Sequence, residues 1–126
     1  MKLKQEMTKE RALDKQIANK IFGAIVIVKG KRMSIGEPEY YDDAGLLYLS
    51  NPVDLYSINM DNAFSVVEEL VGRKLGFSIV TVMDNGTIKW LAKFEQYGID
   101  KYVIALDEIA PTAICLAALK AVEELL

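Results

Sequence analysis

The period of the hydrophobic positions changes several times along the chain, and each change marks an element. Ala12, Leu13, Ile17 and Ile21 recur at helical spacing behind Thr8, whose hydroxyl suits an N-cap, with Glu10 near the positive helix end. A first helix is expected from Thr8 to Asn19 or Lys20. The β-branched run AIVIVKG, residues 24–30, then predicts a strand that ends in the cationic cluster Lys29, Lys31 and Arg32. A loop, GEPEYYDDAG, leads to a second short strand, LLYLS, closed by Asn51-Pro52.

Helical spacing returns in INMDNAFSVVEELVGRKLG. Asn59 or Asp61 caps it, Ala63, Phe64, Val67, Leu70 and Val71 form its apolar positions, and Gly72 or Gly76 stops it. Two strictly alternating runs follow around Asp84-Asn85-Gly86, a tripeptide whose Asn and Gly tolerate the positive φ of a tight hairpin turn. In the second arm, alternation places Ile88, Trp90, Ala92 and Phe94 on one face and Lys89, Leu91, Lys93 and Glu95 on the other. The first set reads as core. KYVIALDEI predicts one more strand before Pro111, which fits the first turn of a closing helix.

That closing helix, APTAICLAALKAVEELL, is apolar nearly all round, with only Lys120, Glu123 and Glu124 asking for water. A helix packed on one sheet face needs about a 100° apolar stripe, so the surplus must be covered by another helix or by a second copy of the chain. A homo-oligomer, dimer or higher, built on helix 110–126 is therefore expected. The charges are close enough together that no uninterrupted apolar run spans a bilayer, and the charged opening MKLKQEMTKERALDKQ lacks the apolar core of a secretory signal. The host cytoplasm is the expected location.

The pattern as a whole predicts one α+β domain over residues 1–126: an antiparallel β-sheet with a central hairpin, covered by helices as an α-β-α sandwich, in the order α-β-β-α-β-β-β-α. Composition narrows its chemistry. The 126 residues contain no histidine, which removes the commonest general base and the usual nucleophile pairs. The single cysteine, Cys115, lies among apolar neighbours and reads as core. The formal charge of −3 is unevenly spread: residues 1–36 hold nine Lys/Arg against three Asp/Glu, and no basic residue lies between Arg32 and Arg73. A pI near 5.0 argues against tracking a nucleic-acid polymer but leaves room for a local patch that holds a small anion.

Three segments together resemble the phage ABA sandwich domain family: LDKQIANKIFG from Leu13, YSINMDNAFSVVEEL from Tyr56, and APTAICLAALKAVEEL from Ala110. The resemblance implies an antiparallel sheet covered by helices and a phage or prophage gene product. It brings no catalytic signature.

Candidate chemistry is consequently that of binding. VKGKRMSIG lacks the GxxxxGK[ST] order of a phosphate loop, and the acids Glu37, Glu39, Asp42 and Asp43 lack the order of a calcium loop. Cations at strand ends and on strand faces can hold phosphates: Lys31, Arg32, Arg73, Lys89 and Lys93. Tyr40, Tyr41 and Tyr97 can stack on a base. No metal or other cofactor is expected. These residues suggest a binding protein, not an enzyme, that sequesters a host nucleotide immune signal of the cyclic nucleotide or cyclic ADP-ribose type. In size, layout and genome context this is analogous to phage sponge proteins such as Thoeris anti-defence proteins. The alternative is a protein–protein inhibitor or accessory phage protein acting through its acidic 37–69 surface.

Overall fold

A computed structural model of the chain describes residues 8–29, 32–35, 40–41, 47–48 and 53–126. Its elements are α1 (Lys9–Lys20), β1 (Val26–Lys29), β2 (Arg32–Ile35), β3 (Tyr40–Tyr41), β4 (Leu47–Tyr48), α2 (Met60–Gly72), β5 (Leu75–Asp84), β6 (Thr87–Gln96), β7 (Tyr102–Asp107) and α3 (Ala110–Glu124). The class is α+β, with a central antiparallel sheet built on a hairpin and covered by helices.

Local chemistry accounts for the boundaries. Thr8 caps α1 by accepting from the Arg11 N–H at 3.1 Å, and Asn59 caps α2 by accepting from the Asn62 N–H at 3.0 Å. Pro111 sits in the first turn of α3, where its missing N–H costs nothing. Asn85 and Gly86 adopt φ of 50° and 79°, the two positive values a two-residue hairpin turn demands.

The main sheet runs β5-β6-β7, antiparallel throughout, with Ala92 opposite Ile79 on one side and Ala105 on the other. One face is the core: Leu75, Ala92, Phe94, Val103 and Ala105 are buried there, and Phe77 packs on Phe94 with ring centroids 5.0 Å apart. Helix α3 crosses β6 and β7, α2 lies beside it against β5, and α1 packs on α3. The apolar surplus of α3 is thus covered within the chain: Ala113, Ile114, Cys115, Ala117, Ala118 and Ala121 are fully buried, and α1 and α2 supply the second cover.

Two local expectations change. The cationic cluster does not simply end the first strand: Arg32 opens β2, which forms a hairpin with β1 in the register Lys29 opposite Arg32. Trp90 and Ile88 share the core face with Ala92 and Phe94, yet they are 37% and 63% exposed, because the ten-residue arms of the hairpin outrun the helices that cover its base.

Three polar residues lock the helices together. Asp14 is fully buried on α1, where it takes a 2.6 Å ion pair from Arg11 and a 2.8 Å hydrogen bond from the Ser57 N–H. The Ser57 hydroxyl donates to the Glu10 carbonyl at 3.1 Å, and Thr112 on α3 donates to the Ser57 carbonyl at 2.8 Å. Arg11 also donates to the carbonyls of Val53 and Asp54. Beside this network Phe22 stacks on Tyr56 at 5.4 Å.

Candidate functional site: the open face of the sheet

Antiparallel pairing puts opposed residues on the same face. The face of β5-β6-β7 turned away from the helices therefore carries the rows Gly76–Glu95–Tyr102, Ser78–Lys93–Ile104, Val80–Leu91–Leu106 and Val82–Lys89. Among the described residues no helix covers it. Val80, Tyr102, Ile104 and Leu106 are exposed, and Lys89, Leu91, Lys93 and Glu95 are partly so. The surface is an apolar floor with cations and tyrosines set into it.

Lys93 is the centre of its polar part. Its ammonium lies 4.8 Å from the centroid of the Tyr102 ring and 3.2 Å from the Glu95 carboxylate. Lys89 pairs with Asp84 at 2.9 Å, and that hydrogen bond raises its pKa above the ordinary lysine value. The carboxylate partners of both lysines are partly exposed, so these ion pairs are worth little.

Tyr97 joins the same face from just beyond β6. It is 70% exposed, and the space above Gly76 is what admits it: a Cβ at Gly76 would stand 3.2 Å from the Tyr97 ring and 3.1 Å from Glu95 Cγ. A Cβ at position 76 would require the Tyr97 ring and Glu95 to shift by a few tenths of an ångström.

Of the residues nominated by sequence, Lys89, Lys93 and Tyr97 therefore converge on one surface. Arg73 does not. Its guanidinium pairs with Glu69 at 2.9 Å and donates to the Ile21 carbonyl at the end of α1, so it ties two helix ends together. Lys31 lies outside the described residues, as do the side chains of Arg32, Tyr40 and Tyr41 and the acids of the 37–43 loop. Tyr102 was missed, although alternation in YVIALD, with Val103 and Ala105 as its buried set, assigns it to the open face.

A separate cleft of about 420 Å³ lies between α1 and α3, lined by Leu13, Leu116, Leu119 and Ile109 with Glu10, Asp107 and Lys9 at its polar margin. Two carboxylates against one ammonium make it a poor site for a polyanion. Burial pushes the Cys115 thiol and the Tyr56 phenol each up to about 12, reinforced by the Asp14 charge at Cys115 and by those of Asp54 and Asp14 at Tyr56. Among the described residues no cluster of three His, Cys, Asp or Glu could hold a metal ion, and no helix is long and apolar enough to cross a membrane.

Comparison with known proteins places this arrangement of sheet and helices in a family. Residues 15–119 match the model of the phage ABA sandwich domain, and the chain belongs to that family of phage proteins. The fold is also similar to the crystal structure, at 2.0 Å, of a phage protein from Bacillus cereus ATCC 14579, with a TM-score of 0.61 and 24% identity over 98% of this chain and 95% of the other. No curated protein matches the chain.

Proposed function

We propose that the protein is a phage-encoded anti-defence binding protein that captures a host nucleotide immune signal, of the cyclic nucleotide or cyclic ADP-ribose type, without cleaving it. The observation that carries this reading is the Lys93–Tyr102 pair on an uncovered sheet face, with the exposed Tyr97 beyond the end of the same strand and Lys89 further along it. An exposed sheet that presents aromatic rings and cations is a stacking platform with phosphate contacts beside it. In this reading the base lies against Tyr97 or Tyr102 and Lys93 exchanges Glu95 for a phosphate, while Lys89, about 13 Å further along β6, adds to the positive field.

Capture without turnover also suits the lack of histidine and the high pKa of the lone thiol. The protein acts in the host cytoplasm, where such signals circulate, and needs no cofactor. Calorimetric titration of the purified protein with cyclic dinucleotides and the isomers of cyclic ADP-ribose tests the proposal, with chromatography of the recovered nucleotide. Saturable heat with the nucleotide intact is the expected result. No heat across the panel, or a cleaved nucleotide, would overturn it.

A further inference from the structure

We propose that β5 is a homodimerisation edge, on which a second copy of this chain adds its own β5 in antiparallel pairing to join two three-stranded sheets into one. The two edges of the sheet are treated very differently. β7 is six residues long, and Lys120 of α3 donates to the outward Ile104 carbonyl at 2.9 Å, which places a cation where another strand would have to pair. β5 is ten residues long and has no charge and no proline from Leu75 to Met83. An edge so left is a template for another strand.

The backbone is set for it. Asp84 and Thr87 close the two-residue turn and so form a hydrogen-bonded pair, after which alternation aims the N–H and C=O groups of Phe77, Ile79, Thr81 and Met83 away from β6. Among the described residues nothing bonds to them. A two-fold axis through Ile79 sets Ile79 against its own copy, Phe77 against Thr81, and Leu75 against Met83. It also sets Lys74 against Asp84 at both ends. Lys74 is exposed and has no carboxylate partner among the described residues, so the pairing supplies its counter-ion. Parallel addition would instead oppose like charges.

A second observation points to the same occupant. Met83, 68% exposed, Ile88 and Trp90 line the helix-facing side of the hairpin tip, beyond the reach of the chain's own helices. The two-fold axis keeps both helix layers on one side of the joined sheet, and it brings each tip beside the base of the partner's β5. There α2 ends, leading into β5 through Arg73 and Lys74, and its exposed Phe64 and Val71 offer the missing cover. This surface does not depend on the nucleotide proposed above.

Sedimentation equilibrium of the full chain and disulfide trapping test the proposal together. The wild type is expected at twice its 14.1 kDa mass at micromolar concentration. Thr81→Pro removes an outward N–H while leaving the β6 ladder intact, and should weaken dimerisation by ~10- to 100-fold, the loss of two symmetry-related hydrogen bonds. In K74C/D84C the two ends of one β5 are ~30 Å apart, beyond the ~7 Å limit for a bridge within the chain. Oxidation should therefore yield a covalent dimer, and neither single variant should do so. A monomeric wild type, with the edge covered by the chain's own residues 36–52 or by nothing, would overturn the proposal. So would a dimer indifferent to Thr81→Pro, or failure of K74C/D84C to cross-link.

Discussion

The two faces of the β5-β6-β7 sheet use the same strands for opposite purposes. On the helix side, Ala92, Phe94, Val103 and Ala105 are buried and leave no room for a ligand; on the other, Lys93, Tyr97 and Tyr102 stand in solvent above an apolar floor. The difference separates what defines the family from what can act. Asp14, Ser57 and Thr112, one from each of the three family-like segments, meet in a single buried network that joins α1, the 53–57 turn and α3. That network holds the architecture, and the candidate binding residues lie across the sheet from it.

The comparison can be broken most severely at the core. Phe94→Ala removes a fully buried ring that packs on Phe77 and should cost about 4 kcal/mol in denaturant unfolding. Asp14→Ala should cost about 3 kcal/mol, since it leaves the buried Ser57 N–H without an acceptor and the Arg11 guanidinium without its carboxylate. A loss under about 1 kcal/mol in either variant would show that the helix side is not the structural face.

Alkaline pH probes the same side more gently. Cys115 and Tyr56 are held neutral at up to about 12 in the folded chain, against ordinary values of 9.0 and 10.0. Both acids ionise more readily once unfolded. Their contribution is therefore complete below pH 9 and falls as pH rises from 9 towards 12, by at most about 1.4 kcal/mol per pH unit for each group. Unfolding midpoints measured from pH 8 to 10.5 should fall above pH 9, and Cys115→Ala should delay the fall towards pH 10. A thiol reagent should label Cys115 only after unfolding.

On the open face the expected stability effect is smallest. Lys93→Ala breaks an exposed ion pair with Glu95 and a contact with the Tyr102 ring, and should change unfolding by less than about 1 kcal/mol. Nucleotide affinity should nonetheless fall about tenfold, the worth of one phosphate contact. A large change in stability, with affinity untouched, would reverse the roles of the two faces.

Much of this architecture is written locally. Thr8, Asn59, Pro111 and the Asn85-Gly86 turn mark helix starts and the hairpin through interactions that span no more than a few residues, so they are legible in the sequence. Alternation in β6 likewise assigns Lys89 and Lys93 to one face. What it cannot tell is how far the cover extends: Trp90 has the phase of a core residue, and its exposure depends on where the helices end. Arg73 shows the same limit from the other side. It looks like a free cation on an acidic chain, and only folding reveals that Glu69 and the end of α1 already occupy it. The β2 strand was hidden because its Arg32 continues a basic cluster that reads as the end of the strand before it.

The most direct test is an amide chemical-shift map recorded while a cyclic ADP-ribose isomer, or whichever cyclic nucleotide gives heat, is titrated into the protein. The account predicts shifts concentrated at Ser78, Lys89, Leu91, Lys93, Tyr97 and Tyr102, with the buried network at Asp14 and Ser57 unmoved. Shifts confined to the α1–α3 cleft around Leu13, Leu116 and Leu119, with the open face silent, would contradict it.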